Sequence, residues 1–256
     1  MVARVLWEHL IRVRIPALRL KQKINTMNSF QIKILACLLM FIDHIGWIFF
    51  PQIIFLRLIG RLSFPLFAFL LTEGFRHTRN VEKYLMRLAI FACLSQPIYY
   101  YVELVQHQQT YNLNIFFALF LGLSAIYLYN SIGNKNLGFI VILVISVISE
   151  WTSVDYGFYG IFIIFFFWLY NVKKDPKSLI IAQVLVTLVA IIYSVSHNLM
   201  FDKPINDWLF VKVYALFSIP IVMFYNGQLG PKLKYLFYVF YPAHLLILVL
   251  IKQFIK

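Results

Sequence analysis

Charge is scarce in this chain, and acid is scarcer still: charged residues make up 13% of it, with 10 Asp and Glu against 23 Lys and Arg. With 62% hydrophobic residues and a mean hydropathy of +0.80, an ordinary soluble enzyme is excluded. Cysteine occurs twice, at Cys37 and Cys93, each inside an apolar run and without metal-ligand spacing. Neither a disulfide framework nor a zinc site can be built from them. The chain also lacks an inverted repeat, a glycine-rich phosphate loop, a low-complexity tract and any stretch long enough to fold as a separate soluble domain. Function therefore lies in the apolar segments or in the short connections between them.

What is abundant is apolar sequence at membrane-spanning length. Nine segments, at about 30–50, 53–73, 84–104, 112–130, 137–150, 156–171, 178–196, 208–226 and 235–252, approach the roughly 17–25 residues of a transmembrane helix. They predict an all-α, polytopic integral membrane helix bundle, with the polar run Glu150 to Asp155 separating the fifth segment from the sixth. Twenty-six Phe and sixteen Tyr suit lipid-facing and interfacial positions. The net charge of +13 is scattered between apolar runs as topology determinants are, which argues against nucleic acid as a partner and for the lipid bilayer.

Alternate connections are basic: Arg76, Arg79 and Lys83, then Lys135, then Lys173, Lys174 and Lys177, then Lys232 and Lys234. The opposite set holds Glu103 to Asn114 without Lys or Arg, the acidic Glu150 to Asp155 turn, and the balanced Asp202, Lys203, Asp207 loop. This bias predicts a multi-pass protein with a cytoplasmic N-terminus. Residues 1–28 form a basic leader, with Arg4, Arg12, Arg14, Arg19, Lys21 and Lys23 against Glu8, and no continuous apolar region of a signal peptide. Two readings fit it: an interfacial helix on an anionic membrane, or translation from a start upstream of Met27. Residues 29–256 are the membrane domain.

Ionisable residues inside an apolar span cost several kcal/mol and mark function by default. Asp43 and His44 lie deep in the first segment. Lys33, eleven residues before His44, falls on nearly the same helical face, about 16 Å away along the axis. An imidazole with an ordinary pKa near 6.5 suits general base work, and a lysine at the inner mouth suits a donor's phosphate. The structural alternatives are a snorkelling Lys33 and an interhelical contact at His44. Asp43, about 100° around the helix from His44, needs a cation on another helix; Arg61, one turn beyond Arg57 and four residues before a kink at Pro65, is the expected partner. A pair of that kind also serves simply to lock two helices.

From the other side, Asn112 and Asn114 open the fourth segment, and Asp155 with Tyr156 opens the sixth, at the depth of His44. Pocket lining and helix capping both fit them. The end of the second segment carries Glu73, Gly74, Arg76, His77, Thr78 and Arg79, with Arg87 following. This cluster fits either a grip on nucleotide phosphates or a topogenic loop. Tyr241 and His244 flank a predicted kink at Pro242 in the last segment and can line the same pocket.

Three linked blocks, Met40 to Gly46, Ile59 to Phe69 and Glu73 to Thr78, resemble the TraX family, whose name-giving member acetylates the N-terminus of conjugative F-pilin. Asn114 to Phe117, Asp155 to Gly157 with Gly160, and Phe237 to Leu245 extend the resemblance over residues 28 to 256. The family is similar to the broader transmembrane acyltransferases, which take an acyl group from cytosolic acyl-CoA and use a first-helix histidine. His44 matches that position, and Lys33 stands where related enzymes often carry arginine.

The resemblance implies an acyl-CoA-dependent acyltransferase of the bacterial inner membrane, with acetyl-CoA as donor substrate and no metal. The acceptor would be an extracytoplasmic protein N-terminus or a glycan hydroxyl. Catalytic roles are expected for His44, Asp43 and Arg61, donor binding for Lys33, Arg76, His77 and Arg87, and acceptor binding for Asn114, Asp155, Tyr156, Tyr241 and His244. Two rivals remain open: a proton-coupled secondary transporter using Asp43, His44 and Arg61, and a non-enzymatic membrane assembly factor.

Overall fold

Asparagine starts four of the helices. In the computed structural model, which describes residues 26–106, 112–200, 211–231 and 233–255, Asn28 caps α1 (Ser29–Ile48) in a reciprocal box with Gln31, both hydrogen bonds being 2.9 Å. Asn80 caps α4 (Val81–Val105), Asn114 caps α5 (Ile115–Ser131) and Asn134 caps α6 (Lys135–Trp151), each accepting backbone N–H groups that the first helical turn leaves free. A left-handed Lys174, whose N–H reaches the Tyr170 carbonyl at 2.7 Å, stops α7 (Gly157–Lys173). Asp175 then accepts from the backbone of Lys177, and Pro176 opens α8 (Pro176–Met200). The basic leader through Asn25, the Asp202 to Asp207 loop and Lys232 lie outside the described residues.

Each of the nine apolar segments contains helix, and no strand forms among the described residues. Among the described residues, five helices, counting Ile54 to His77 as one, are long and apolar enough to cross a membrane. Others, such as α5, α6 and α7, have 17 residues each, about 25 Å of rise, a little short of a ~30 Å hydrocarbon core. The result is a helical membrane bundle.

Two segments differ from the uniform spans expected. The second is not a kinked helix but a broken one: α2 (Ile54–Gly60) ends, Arg61 and Leu62 turn, and α3 (Ser63–His77) begins. Pro65 therefore sits in the first turn of a new helix, where its missing N–H is not needed. The eighth is built of α9 (Val211–Tyr214), a 3₁₀ turn (Ala215–Phe217) and α10 (Ser218–Met223), with Pro220 again in a first turn. It still joins the two ends of the bundle. Ala215 lies near Arg61 and Asp155, while Tyr225 pairs with Met27 through hydrogen bonds of 3.1 and 2.9 Å on either side. In the last segment α11 (Lys234–Ile255) continues through Pro242 without interruption.

The packing surrounds α1. It contacts α2, α3 and α11; α4 packs on α5 and α11; α5, α6 and α7 pack together; and α7 also touches α3 and α8. The buried core is continuous through these helices, whereas apolar residues such as Val147 and Ile192 point outward, as lipid-facing side chains should. α1 and α2 come closest at Gly60, where an added Cβ would stand 2.2 Å from the Asp43 Cβ and 2.7 Å from its Cα. The α1–α2 contact thus requires glycine. Gly60→Ala is expected to destabilise the protein by about 1–3 kcal/mol or more. Gly133→Ala, which meets nothing within 4 Å, should leave the detergent melting curve unchanged; equal melting temperatures for the two variants would refute this account of the contact.

Candidate active site

Asp43 and His44 face different neighbours because successive helical residues are rotated by about 100°. Asp43 turns toward α2, where Arg57 Nη1 pairs with its Oδ2 and also reaches its backbone carbonyl at 3.3 Å. The expected Asp43–Arg61 pair is therefore corrected: the partner is Arg57. Both arginines lie near the depth of Asp43 across a short turn, so depth does not choose between them. The helical face does: Arg57 lies three residues before Gly60, the residue pressed against Asp43, whereas Arg61 lies one residue after it and is rotated away. Arg61 Nη1 instead donates to Tyr156 Oη at 3.1 Å. Tyr156 stacks on Phe64 with ring centroids 4.0 Å apart.

His44 turns toward α11. Its Nδ1 stands 2.8 Å from Nε2 of His244, and the His244 Nδ1 lies 2.6 Å from the carbonyl oxygen of Phe240, one turn back on α11. Both imidazoles are buried. Trp47, three residues along the same face of α1, packs against the His44 ring at 5.9 Å, and Tyr241 meets it at 6.2 Å. Spacing within α1 makes Trp47 legible as a neighbour of His44, whereas the pairing with His244 spans 200 residues and leaves no local signal.

These side chains line one cavity of about 580 Å³. At one end stand Lys33, His77, Thr78 and Arg87, with Tyr84, Phe237 and Tyr238; toward the other stand Asp43, His44 and Tyr241 with Arg57, Arg61, Asp155 and Tyr156. Aromatic rings brace the cations of the first end: Lys33 Nζ lies 5.6 Å from the Phe237 ring centre, and the Arg87 guanidinium lies 5.5 Å from that of Tyr84. Those rings, with Trp47 and Tyr99, are the lining that motif reading passed over. A second cavity of about 410 Å³ adjoins the far end and shares Arg61, Asp155 and Tyr156 with the first. Among the described residues, His, Cys, Asp and Glu form no group of three or more that could hold a metal ion.

Two expected site residues stand elsewhere. Asn114, fully buried, donates to the Ala92 carbonyl and to Gln96 Oε1, both at 2.8 Å, and accepts from the Phe116 N–H at 3.0 Å. It joins α4 to α5 and caps α5, and it does not line the cavity. Arg76 donates to the buried carboxylate of Glu73 at 2.7 Å, with Lys174 at 4.0 Å from the same carboxylate and Tyr225 donating to it at 3.2 Å. That cluster closes the helix ends rather than facing the cavity. His244 reaches the site through His44, while Lys33, His77, Arg87, Asp155, Tyr156 and Tyr241 stand in the cavity wall itself.

Relatives align with 70% and 90% of this chain. A probable fimbrial assembly protein FimC, serogroup H1, of Dichelobacter nodosus is 29% identical over 243 residues, covering 90% of this chain and 97% of that protein. The uncharacterized protein RP591 of Rickettsia prowazekii (strain Madrid E) is 29% identical over 185 residues, covering 70% of this chain and 68% of that protein. No solved structure matches the chain. The family model described as TraX protein matches residues 29–252, from the first turn of α1 to the last turns of α11, and the chain belongs to that family.

Proposed function

We propose that this protein is a membrane acyltransferase that moves an acetyl group from cytosolic acetyl-CoA to an amine or hydroxyl presented on the opposite side. The observation that carries the reading is the single cavity that joins a basic, aromatic mouth at Lys33, His77 and Arg87 to a buried imidazole at His44. The basic mouth opens at the bundle end that bears Arg76, Arg79, Lys173 and Lys174, which the charge bias of loops assigns to the cytoplasm of a bacterial inner membrane.

Lys33 and Arg87 hold donor phosphates, and the aromatic lining takes the long arm that carries the thioester inward. His44 accepts the proton of the acceptor N–H or O–H as that atom attacks the thioester carbon. Arg61, at the far end of the cavity, supplies positive charge for the developing oxyanion. When the C–S bond breaks, the His44 imidazolium returns the proton to the departing thiolate, so acylated acceptor and free CoA thiol leave and the imidazole is restored. Asp43 and Arg57 neutralise one another beside this path and hold α1 against α2. The Dichelobacter relative is named for fimbrial assembly, which favours a subunit of a surface appendage as acceptor.

A second reading, a proton-coupled transporter, draws on the adjoining cavities that share Arg61, Asp155 and Tyr156 as a partition. Purified protein in detergent decides between them. The wild type should bind acetyl-CoA and release CoA, and His44→Ala should bind it while losing about 10²–10⁴ of the turnover. Folded protein that binds no acetyl-CoA, together with proton-coupled solute uptake in proteoliposomes, would overturn the acyltransferase reading. Arg87→Gln is expected to raise KM for acetyl-CoA about 10-fold or more, the loss of one charge-assisted phosphate contact, with kcat within about threefold. An unchanged KM would remove Arg87 from the donor site.

A further inference from the structure

Carbonyl oxygens accept hydrogen bonds and never donate them. His244 Nδ1, 2.6 Å from the Phe240 carbonyl, must therefore carry a hydrogen. Among the described residues no carboxylate contacts the ring to support a second proton: its ring neighbours are Phe41, His44, Phe240 and Tyr241. A buried imidazolium in that setting costs several kcal/mol, so His244 is neutral and its Nε2 is a bare lone pair. Among the described residues, the group that lone pair meets at hydrogen-bond distance is His44 Nδ1, at 2.8 Å, which must then be the donor. The Met40 carbonyl, one turn back on α1, also bonds the His44 ring as an acceptor. With Nδ1 protonated, the other nitrogen of neutral His44, Nε2, is the one without hydrogen.

We propose that His244 is a positioning residue that fixes His44 in its Nδ1–H tautomer and so presents Nε2 as the base nitrogen. The inference rests on the acyltransferase reading for its functional meaning, but the tautomer itself does not. The chain of polarity runs from the Phe240 carbonyl through His244 to His44, so a tautomer choice in α1 is set by the backbone of α11, two hundred residues away. As Nε2 takes the acceptor's proton, the Nδ1–H to Nε2 bond becomes charge-assisted and stabilises the imidazolium. The arrangement performs the orienting task of a triad carboxylate with a neutral group, which suits a site inside the membrane where another unpaired charge would be expensive.

Nitrogen NMR on protein labelled in the histidine rings tests this directly, with His44→Gln and His244→Gln used to assign the signals. The wild type should show His44 with Nδ1 protonated and Nε2 bare. In His244→Leu the His44 signals should shift toward the Nε2–H tautomer, and CoA release should fall about 10- to 100-fold with KM for acetyl-CoA within about twofold. His244→Gln, whose amide oxygen can accept from His44 and whose NH₂ can donate to Phe240, should keep the tautomer and recover most of the turnover. A wild-type His44 bearing hydrogen on Nε2 would overturn the proposal. So would a folded His244→Leu protein with an unaltered tautomer, since Met40 alone would then suffice. Should the leucine variant not fold, the wild-type spectrum still decides the first point. The predicted tautomer in a protein that never turns over acetyl-CoA would leave the His244 assignment standing and sink the acyltransferase reading instead.

Discussion

Asp43 and Arg57 form an ion pair near the centre of a structure that otherwise presents hydrocarbon to its surroundings. Neither residue is tolerable alone there, because an ionised side chain without a counter-charge costs several kcal/mol in a low-dielectric interior. Their pairing therefore dictates where α2 lies on α1, and Gly60 permits the backbones to come that close. Once α2 is set, Arg61 is rotated off the α1 face toward Tyr156, and the helix break after Gly60 starts α3 along the cavity wall. Replacing both ions with apolar residues would leave α1 and α2 free to pack in other registers. The pair's contribution is thus specificity of position as much as stability.

The same constraint explains why the cavity is not uniformly polar. Each cation in it is provided for by a neighbour: Lys33 and Arg87 by aromatic faces, Arg57 by Asp43, and Arg61 by Tyr156. Aromatic support leaves the Lys33 ammonium hydrogens at the mouth available for an anion, because the ring face uses charge without using hydrogen-bond donors, and Arg87 gives a hydrogen bond only to a neutral phenol, Tyr238. A carboxylate partner would have consumed them, as Glu73 does for Arg76. The difference between Arg87 and Arg76, both basic residues near one end of the bundle, is therefore a difference in what already occupies their donors.

Helix positions were legible in the sequence because apolar length is a local property, and so was His44 with its neighbours on α1, which follow from 3.6-residue periodicity. Breaks were harder to read. Pro65 signalled a disturbance, but whether a proline kinks a helix or opens a new one depends on the turn before it, and Gly60 against Asp43 settles that by tertiary contact. Asn114 was ambiguous for a related reason. Its amide can cap a helix, bridge to another or line a pocket, and the choice was made by Gln96 and the Ala92 carbonyl on α4. For His44 and His244 the sequence pointed to two imidazoles at membrane depth lining one pocket, and their direct contact had no signal short of the three-dimensional arrangement.

The partition between the two cavities carries backbone strain. Ser153 and Tyr156 both adopt left-handed backbone conformations, φ 53° and 67°, and Gly157 follows at φ 48°. For a residue as large as tyrosine this region is disfavoured by about 1–2 kcal/mol. Such conformations persist only where surroundings over-determine them, and here they do. The Leu113 N–H reaches the Ser153 carbonyl at 3.0 Å, the Asp155 N–H reaches the Leu113 carbonyl at 2.8 Å, and Glu150 Oε2 accepts from the Phe158 N–H at 3.1 Å. Gly157 suits this turn because its φ of 48° is one that side chains rarely adopt, and an added Cβ, 2.0 Å from the same oxygen, would displace the carboxylate. Backbone strain, two bridging hydrogen bonds and a glycine together hold one phenol between Phe64 and Arg61. Residues at the wall that both cavities share are thereby fixed more firmly than the flanking helices alone would fix them.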